Sequence, residues 1–387
     1  MLDRRIRLFS IFGFDVRIDA SWLLLAALIA WSLAEGVFPE LSPGLAAATY
    51  WWMSLAVTIG LLLSIVFHEA AHSLVARRFG ISIRGITLFV FGGVAEMEGE
   101  PRDPRSEFLM AVAGPVSSLL LAAVFLMLCA AAGRADLPTP LVGTLWYLGY
   151  ANGILGLFNL VPAFPLDGGR MLRAGLWTWR GDIIWATRIA AGVGGLFGLL
   201  LVVFGIMEVF RGDFIGGIWQ FLIGMFIRGA AGTAYQQTVA EQVFGNLTVA
   251  QIMDVKLVAA APTMTVADFV DAYVYRLHCR DVPVAQDGKI IGMVGTRQVA
   301  ALGRPEWPGT TIGQIMVPCT DADVVEADSR ALDALVKLSR AHRSRLFAVE
   351  NGRFVGVISL RDFAEILAVR LDLLGDRNRA ESLLRAR

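Results

Sequence analysis

Phe67-His68-Glu69-Ala70-Ala71-His72 closes the most apolar run in the first quarter of this 387-residue chain. No residue from Tyr50 to Val66 carries a charge, and then two imidazoles and a carboxylate arrive together. On a helix, positions four apart share a face, so His68 and His72 can grip one metal ion while Glu69 leans in beside them. That geometry serves metal-assisted hydrolysis, in which the ion acidifies a bound water and the carboxylate takes its proton. At ordinary residue frequencies such a string occurs by accident in on the order of one chain in a hundred, mostly on solvated helices. Here it sits in an apolar segment of membrane length, where ionisable groups are costly and mark a functional site. The other histidines, His278 and His342, lie far downstream.

Composition points the same way. Hydrophobic residues make up 56% of the chain, charged residues 18%, and the mean hydropathy is +0.61, which is too apolar for a soluble protein and fits a membrane protein with a soluble appendage. The formal net charge is zero, so no basic surface argues for nucleic acid. Cys129, Cys279 and Cys319 lack the paired spacing of a disulfide framework or a zinc cluster. Residues 1–19 read as basic and amphipathic, not as a cleavable signal.

Six apolar segments read as membrane spans. The first covers 22–38 and leads into a loop, 39–45, without Lys or Arg. The second, 49–76, carries the histidines and ends in Arg77-Arg78. Residues 81–95 then alternate, with Ile81, Ile83, Ile86, Leu88 and Val90 broken by Gly92-Gly93, which is strand chemistry with a tight turn. A charged loop, 96–105, precedes the third span, 108–132, where Ala113-Gly114-Pro115 and Ser117-Ser118 would let another helix approach closely. The fourth span covers 141–161, the fifth Ile183–Phe210 and the sixth 214–227. Arginines concentrate in the N-terminus, in the loops 77–105 and 170–188, and after Arg228, so both termini are expected in the cytoplasm and the chain in the plasma (inner) membrane. The histidines then lie on the order of 12 Å deep, in the inner leaflet.

A catalytic zinc takes three protein ligands and keeps one open position. No third histidine precedes His278, so a carboxylate must complete the shell. Asp167 is the best candidate: Pro162, Pro165, Gly168 and Gly169 around it would break the helix and hold it at a fixed, inward angle. An aspartate before two glycines is also an ordinary turn signal. Glu96, Glu98 and Glu107 are weaker candidates that read as solvated.

His68-Glu69-x-x-His72 together with Asn159…Pro162-x-x-Pro165-Leu166-Asp167-Gly168-Gly169 resembles the site-2 protease family of intramembrane zinc metalloproteases, over roughly residues 1–232. The resemblance implies one Zn2+ per chain held by His68, His72 and Asp167, with Glu69 as the base that activates water. It implies that Asn159 binds substrate backbone or steadies the oxyanion. Phe91-Gly92-Gly93 resembles the family's membrane-associated β-element, which offers an edge to an unwound substrate. That fits the physics, since a transmembrane helix protects its own amides and must unwind before it is cut.

After Arg228 the chain turns polar and repeats itself. Thr248-Val249-Ala250-Gln251-Ile252-Met253 returns as Thr311-Ile312-Gly313-Gln314-Ile315-Met316, and Gly292-Met293-Val294-Gly295 returns as Gly356-Val357-Ile358-Ser359. A period of roughly 60 residues suits two copies of a small α/β module. Each copy reads as helix (266–277; 329–342), strand (282–285; 345–349), Asp287-Gly288 or Asn351-Gly352 turn, strand, helix. This resembles a tandem of cystathionine-β-synthase (CBS) domains, which implies clefts for an adenine nucleotide, ATP or AMP, held through Ser359 and Asp362. The first copy has Gly295 and Gln298 at those positions, with Thr296 next to them. A hydroxyl and carboxylate at a helix start also cap helices without any ligand.

The expected architecture is thus an α-helical polytopic membrane protein of six transmembrane helices with a short membrane-associated β-element, plus a cytosolic α/β tandem CBS domain. Its parts are a membrane domain at 1–232, a linker at 233–246, CBS modules at 247–305 and 306–370, and a tail at 371–387. The expected activity is zinc-dependent cleavage of single-span membrane proteins in a lipid bilayer, of the anti-sigma or pro-sigma type, adjusted by the CBS pair, through which the chain can form a homodimer or higher oligomer. The rivals are a catalytically silent zinc-binding nucleotide sensor, which has no need of Glu69, and a transporter with a CBS gate, for which charge-lined spans and an inverted repeat are missing from the sequence.

Overall fold

The computed structural model describes residues 6–11, 13–89, 92–97, 101, 103–255, 259–340 and 345–373. They fall into two units, Met1–Gln236 and Gln237–Arg387.

The first unit opens with β1 (Ile6–Ile11) and β2 (Phe14–Ile18). Within the stretch read as basic and amphipathic these strands form a hairpin, and its signal was the two-residue period that buries Phe14, Val16 and Ile18. β3 (Ile83–Phe89) and β4 (Gly92–Met97) complete a four-stranded sheet of order β1-β2-β3-β4, in which β2 and β3 are parallel. Gly92 and Gly93 pair with Phe89 and Leu88 inside this ladder, so the glycine pair is strand and not turn, while Val90 and Phe91 lie outside the described residues.

Asp19 caps α1 (Ala20–Ser32) by accepting from the Ser21 amide at 2.9 Å. A π-helical turn, Leu33–Val37, carries the chain into α2 (Phe38–Leu41), because Pro39 in a first turn leaves no amide unpaired; the expected loop begins only at Ser42. Then come α3 (Ala47–Arg78), α4 (Pro104–Arg134, capped by Asp103) and α5 (Thr139–Asn159). They are followed by α6 (Asp167–Arg180), α7 (Ile183–Phe210) and α8 (Phe214–Phe244). Among the described residues, five helical stretches are long and apolar enough to cross a membrane: Ala20–Leu41, Ala47–Arg78, Pro104–Arg134, Thr139–Asn159 and Ile183–Phe210. Large apolar side chains such as Leu24, Trp52, Leu120 and Leu157 point outward along them, the reverse of a water-soluble surface.

Two expectations change here. The stretch 170–188 is not a loop but mostly α6, an amphipathic helix that buries Asp167, Gly168, Gly169, Arg173 and Ala174. The segment expected as a sixth span does not stop at residue 227, since α8 runs for 31 residues, into the segment read as a linker. Its first half lies against α7 with glycines at the contact: a side-chain carbon on Gly198 would stand 2.7 Å from the Gly224 carbonyl oxygen.

The second unit shows the repeat directly. α9 (Val249–Ile252) and α12 (Ile312–Ile315) start with the same capping box, Thr248 with Gln251 and Thr311 with Gln314. In the first copy α10 (Val266–Phe269) continues as a π-helical turn and is followed by β5 (Asp281–Gln286), β6 (Lys289–Gly295) and α11 (Thr296–Ala300). After α12 come β7 (Val317–Pro318), β8 (Val324–Glu326), α13 (Ala331–Arg340), β9 (Arg345–Glu350), β10 (Arg353–Ser359) and α14 (Leu360–Leu373). They build two three-stranded sheets, β5-β6-β7 and β10-β9-β8. Both hairpins turn through paired left-handed residues, Asp287 (φ 53°) with Gly288 (φ 81°) and Asn351 (φ 52°) with Gly352 (φ 75°), the tight geometry that Asp-Gly and Asn-Gly favour. Each opening helix packs into the other copy's core: Val249 and Ile252 join Leu346, Ile358 and Phe363, while Ile312 joins Val266, Phe269 and Val282.

Candidate metal centre

α3 sets His68 and His72 one turn apart, with ring centroids 4.8 Å from each other and Nε2 atoms 3.1 Å apart. Oδ2 of Asp167 lies 3.1 Å from Nε2 of His68 and 3.2 Å from Nε2 of His72. Three donor atoms so spaced suit one small cation, because ligand bonds of about 2.0–2.1 Å in a tetrahedron place their ends about 3.3 Å apart. All three residues are buried.

The rings are oriented from behind by α4. Nδ1 of His72 donates to the Met110 carbonyl at 2.6 Å, which leaves the lone pair on Nε2. Nδ1 of His68 lies 2.9 Å from the Ser118 hydroxyl. Between these two partners sits Gly114, where a side-chain carbon would collide with Nε2 of His72 and stand 2.5 Å from Nε2 of His68. The glycine therefore keeps open the space in front of the donor atoms. Directed lone pairs, a carboxylate oxygen and a cradle that any Cβ would fill together fit a zinc ion.

Asp167 reaches the imidazoles because the chain reverses tightly after α5. Leu166 opens α6, its carbonyl accepting from Gly169 and Arg170 at 3.0 and 3.2 Å. A side chain on Gly168 would run into the Leu160 and Val161 carbonyls, and one on Gly169 into the Phe164 backbone. The glycine pair thus follows from backbone lying on backbone, not from a freely exposed turn.

Glu69, half-buried, lies beneath β4, where a side-chain carbon on Gly93 would come within 2.5 Å of its Cγ. Glu69, both histidines, Asp167, Asn159 and Arg170 line a common cavity of about 330 Å³. The Asn159 amide group donates to the Leu155 carbonyl at 3.0 Å, back into its own helix. Glu107 is not solvated: it is fully buried and its Oε1 accepts from Nε of Arg173 at 2.6 Å. Glu98 and the side chain of Glu96 lie outside the described residues. Sequence reasoning missed Met110, Ser118 and the Glu107–Arg173 pair, although 107, 110, 114 and 118 recur at the three- and four-residue steps of one helical face.

In the CBS unit Ser359 and Asp362 meet each other. Oδ2 of Asp362 accepts from both the Ser359 amide and the Ser359 hydroxyl at 2.7 Å, reaching back from the first turn of α14 to cap its start as the third residue of a capping box does. In the first copy the Gly295 amide donates to Oε1 of Gln298 at 3.0 Å, and Thr296 begins α11 with its own amide on the Arg280 carbonyl.

Residues 56–137 and 134–204 match the model of peptidase family M50, and 249–302 and 312–369 each match the CBS domain model. Rip3 of Mycobacterium tuberculosis, named as a zinc metalloprotease, is 35% identical over 359 residues, covering 92% of this chain and 91% of its own. A protein of Methanocaldococcus jannaschii, also named as a zinc metalloprotease, is 30% identical over 365 residues, covering 94% of this chain and 96% of its own. The solved site-2 protease from Methanocaldococcus jannaschii is 29% identical across 59% of this chain and 94% of that one, with a TM-score of 0.42. The chain belongs to peptidase family M50, the site-2 protease family of zinc metalloendopeptidases, and carries a tandem of CBS domains behind its protease part.

Proposed function

We propose that this protein is an intramembrane endopeptidase in which His68, His72 and Asp167 hold the zinc ion and Glu69 is the general base. The observation that carries this reading is the convergence of one donor atom from each of those three residues, drawn from α3 and α6, onto one buried point beside Glu69. Zinc bound there supplies Lewis acidity that makes a water molecule easier to deprotonate. Glu69 takes the water's proton as the water oxygen attacks the scissile carbonyl, and returns it to the amide nitrogen that leaves. Asn159, lining the same cavity, turns its amide group from the Leu155 carbonyl to the substrate backbone.

The substrates are single-span membrane proteins of the anti-sigma or pro-sigma type. Their unwound segment pairs with the edge of β4, the outer strand of the sheet, which passes over Glu69. The first half of α8 is a sixth span, which leaves both termini in the cytoplasm, consistent with the arginine distribution. The CBS pair binds ATP or AMP through Ser359 and Asp362, adjusts the protease and brings chains together as oligomers.

Glu69→Ala tests the mechanism. Cleavage of a co-expressed membrane-tethered substrate should fall by about 10²–10⁴-fold, with the zinc content and melting temperature of the full chain unchanged. Cutting that persists in a folded, zinc-loaded Glu69→Ala protein would falsify the assignment.

A further inference from the structure

α4 presents Glu107, Met110, Gly114 and Ser118 along a single stripe. Met110 and Ser118 hold the rings of His72 and His68, and Gly114 leaves the space in front of them. Glu107, at the start of the stripe, reaches the helix that supplies the third ligand. One oxygen of its carboxylate, Oε1, meets both Nε and Nη2 of Arg173, the Nε bond measuring 2.6 Å. Glu107 is 0% and Arg173 4% exposed, so the ion pair is shielded from water.

Arg173 also grips the turn that precedes Asp167. Its guanidinium lies 5.1 Å from the centre of the Phe164 ring, and Gly169, one helical turn earlier, is packed directly on the Phe164 backbone. Carboxylate, guanidinium, ring and backbone form a chain of contacts that sets the depth and rotation of the first turn of α6. A buried charge pair replaced by apolar side chains of similar size often leaves stability unchanged or raises it, so stability alone is a weak reason for this one. Its geometric effect is direct: two nitrogens of one rigid, planar guanidinium converging on Oε1 fix its orientation as well as its distance.

We propose that Glu107 and Arg173 are positioning residues for the metal centre, registering Asp167 against His68 and His72 through α4. The inference rests on the reading of Asp167 as a zinc ligand. Helix α4 then locates all three ligands, two by hydrogen bonds to the rings and the third through the ion pair.

The test uses the full chain in lipid nanodiscs, with zinc affinity measured by chelator competition, melting temperature, and kcat and KM on a tethered substrate. Arg173→Lys keeps the charge but loses the fork and the ring contact. The double variant Glu107→Met/Arg173→Met removes the charges and keeps the volume, so that a folded comparison exists if Arg173→Lys fails to fold. The expected result is a zinc affinity about 10–100-fold weaker and a kcat about 10²-fold lower, with KM and melting temperature close to those of the parent. Variants that keep the parent melting temperature and also keep zinc affinity and kcat overturn the proposal, as does a loss of zinc that only tracks a falling melting temperature. Asp167→Ala separates this from the reading beneath it. If zinc affinity survives that substitution, the ligand assignment is wrong; if it collapses there while the Arg173 variants bind normally, only the positioning role is wrong.

Discussion

Gly114 stands directly against the Nε2 atom of His72, so close that no side chain fits between α4 and the imidazole. The smallest addition, Gly114→Ala, places a methyl group where the metal would sit. Zinc affinity should drop by more than about 100-fold, beyond what the loss of a supporting hydrogen bond causes. Metal analysis of the purified protein measures this, and the CBS unit should melt as before. Full zinc content in Gly114→Ala would mean that the rings hold the ion elsewhere.

Ser118 sits behind the other imidazole. Ser118→Ala removes the partner of Nδ1 on His68 and leaves that ring free to tilt or to take the other tautomer. A 10–100-fold weaker zinc affinity is expected, read by competition with a chelator, and Ser118→Thr should restore most of it.

Gly93 offers a contrast, because it faces the proposed base and not the ligands. A side chain there meets Glu69 at Cγ and pushes the carboxylate away from the cavity. Gly93→Val should therefore lower kcat by about 10²-fold while zinc content stays at one ion per chain. Loss of zinc in this variant would count against the separation of base and ligands.

In the CBS unit the cap on α14 and the proposed nucleotide site call on the same carboxylate. Asp362→Ala should cost about 1 kcal/mol of local stability, seen as roughly fivefold faster amide exchange in α14 of the full chain. This effect should be present without nucleotide. Titration with ATP and AMP then isolates the second role: unchanged binding in Asp362→Ala would leave the residue a cap alone.

What could be read from residues alone follows a physical division. The His68–His72 pair and the Pro- and Gly-flanked Asp167 are local signals, since each depends on spacing within one helix or one turn. The CBS hairpins were legible for the same reason, through Asp287-Gly288 and Asn351-Gly352. The supports of the centre were not. Met110 acts through its backbone carbonyl, which carries no residue signature, and Gly114 reads as one more small residue at a helix contact. Glu107 follows a charged loop and resembles a solvated residue until α6 brings Arg173 to it. The N-terminal strands were missed because their sheet is completed only by a distant second partner of β2, the strand β3, and the extent of α8 because Arg228 looks like the end of a span.

That partner has a consequence for how the molecule is made. β2 pairs in parallel with β3, with Asp15 opposite Gly85, so the pair needs a crossover, and α1 to α3 supply it. A nascent chain exposes Phe14, Val16 and Ile18 early, yet has nowhere to bury them until the helix bearing the histidines has emerged from the ribosome. The first sheet of this protein can therefore close only after the helix that carries His68 and His72 has been made.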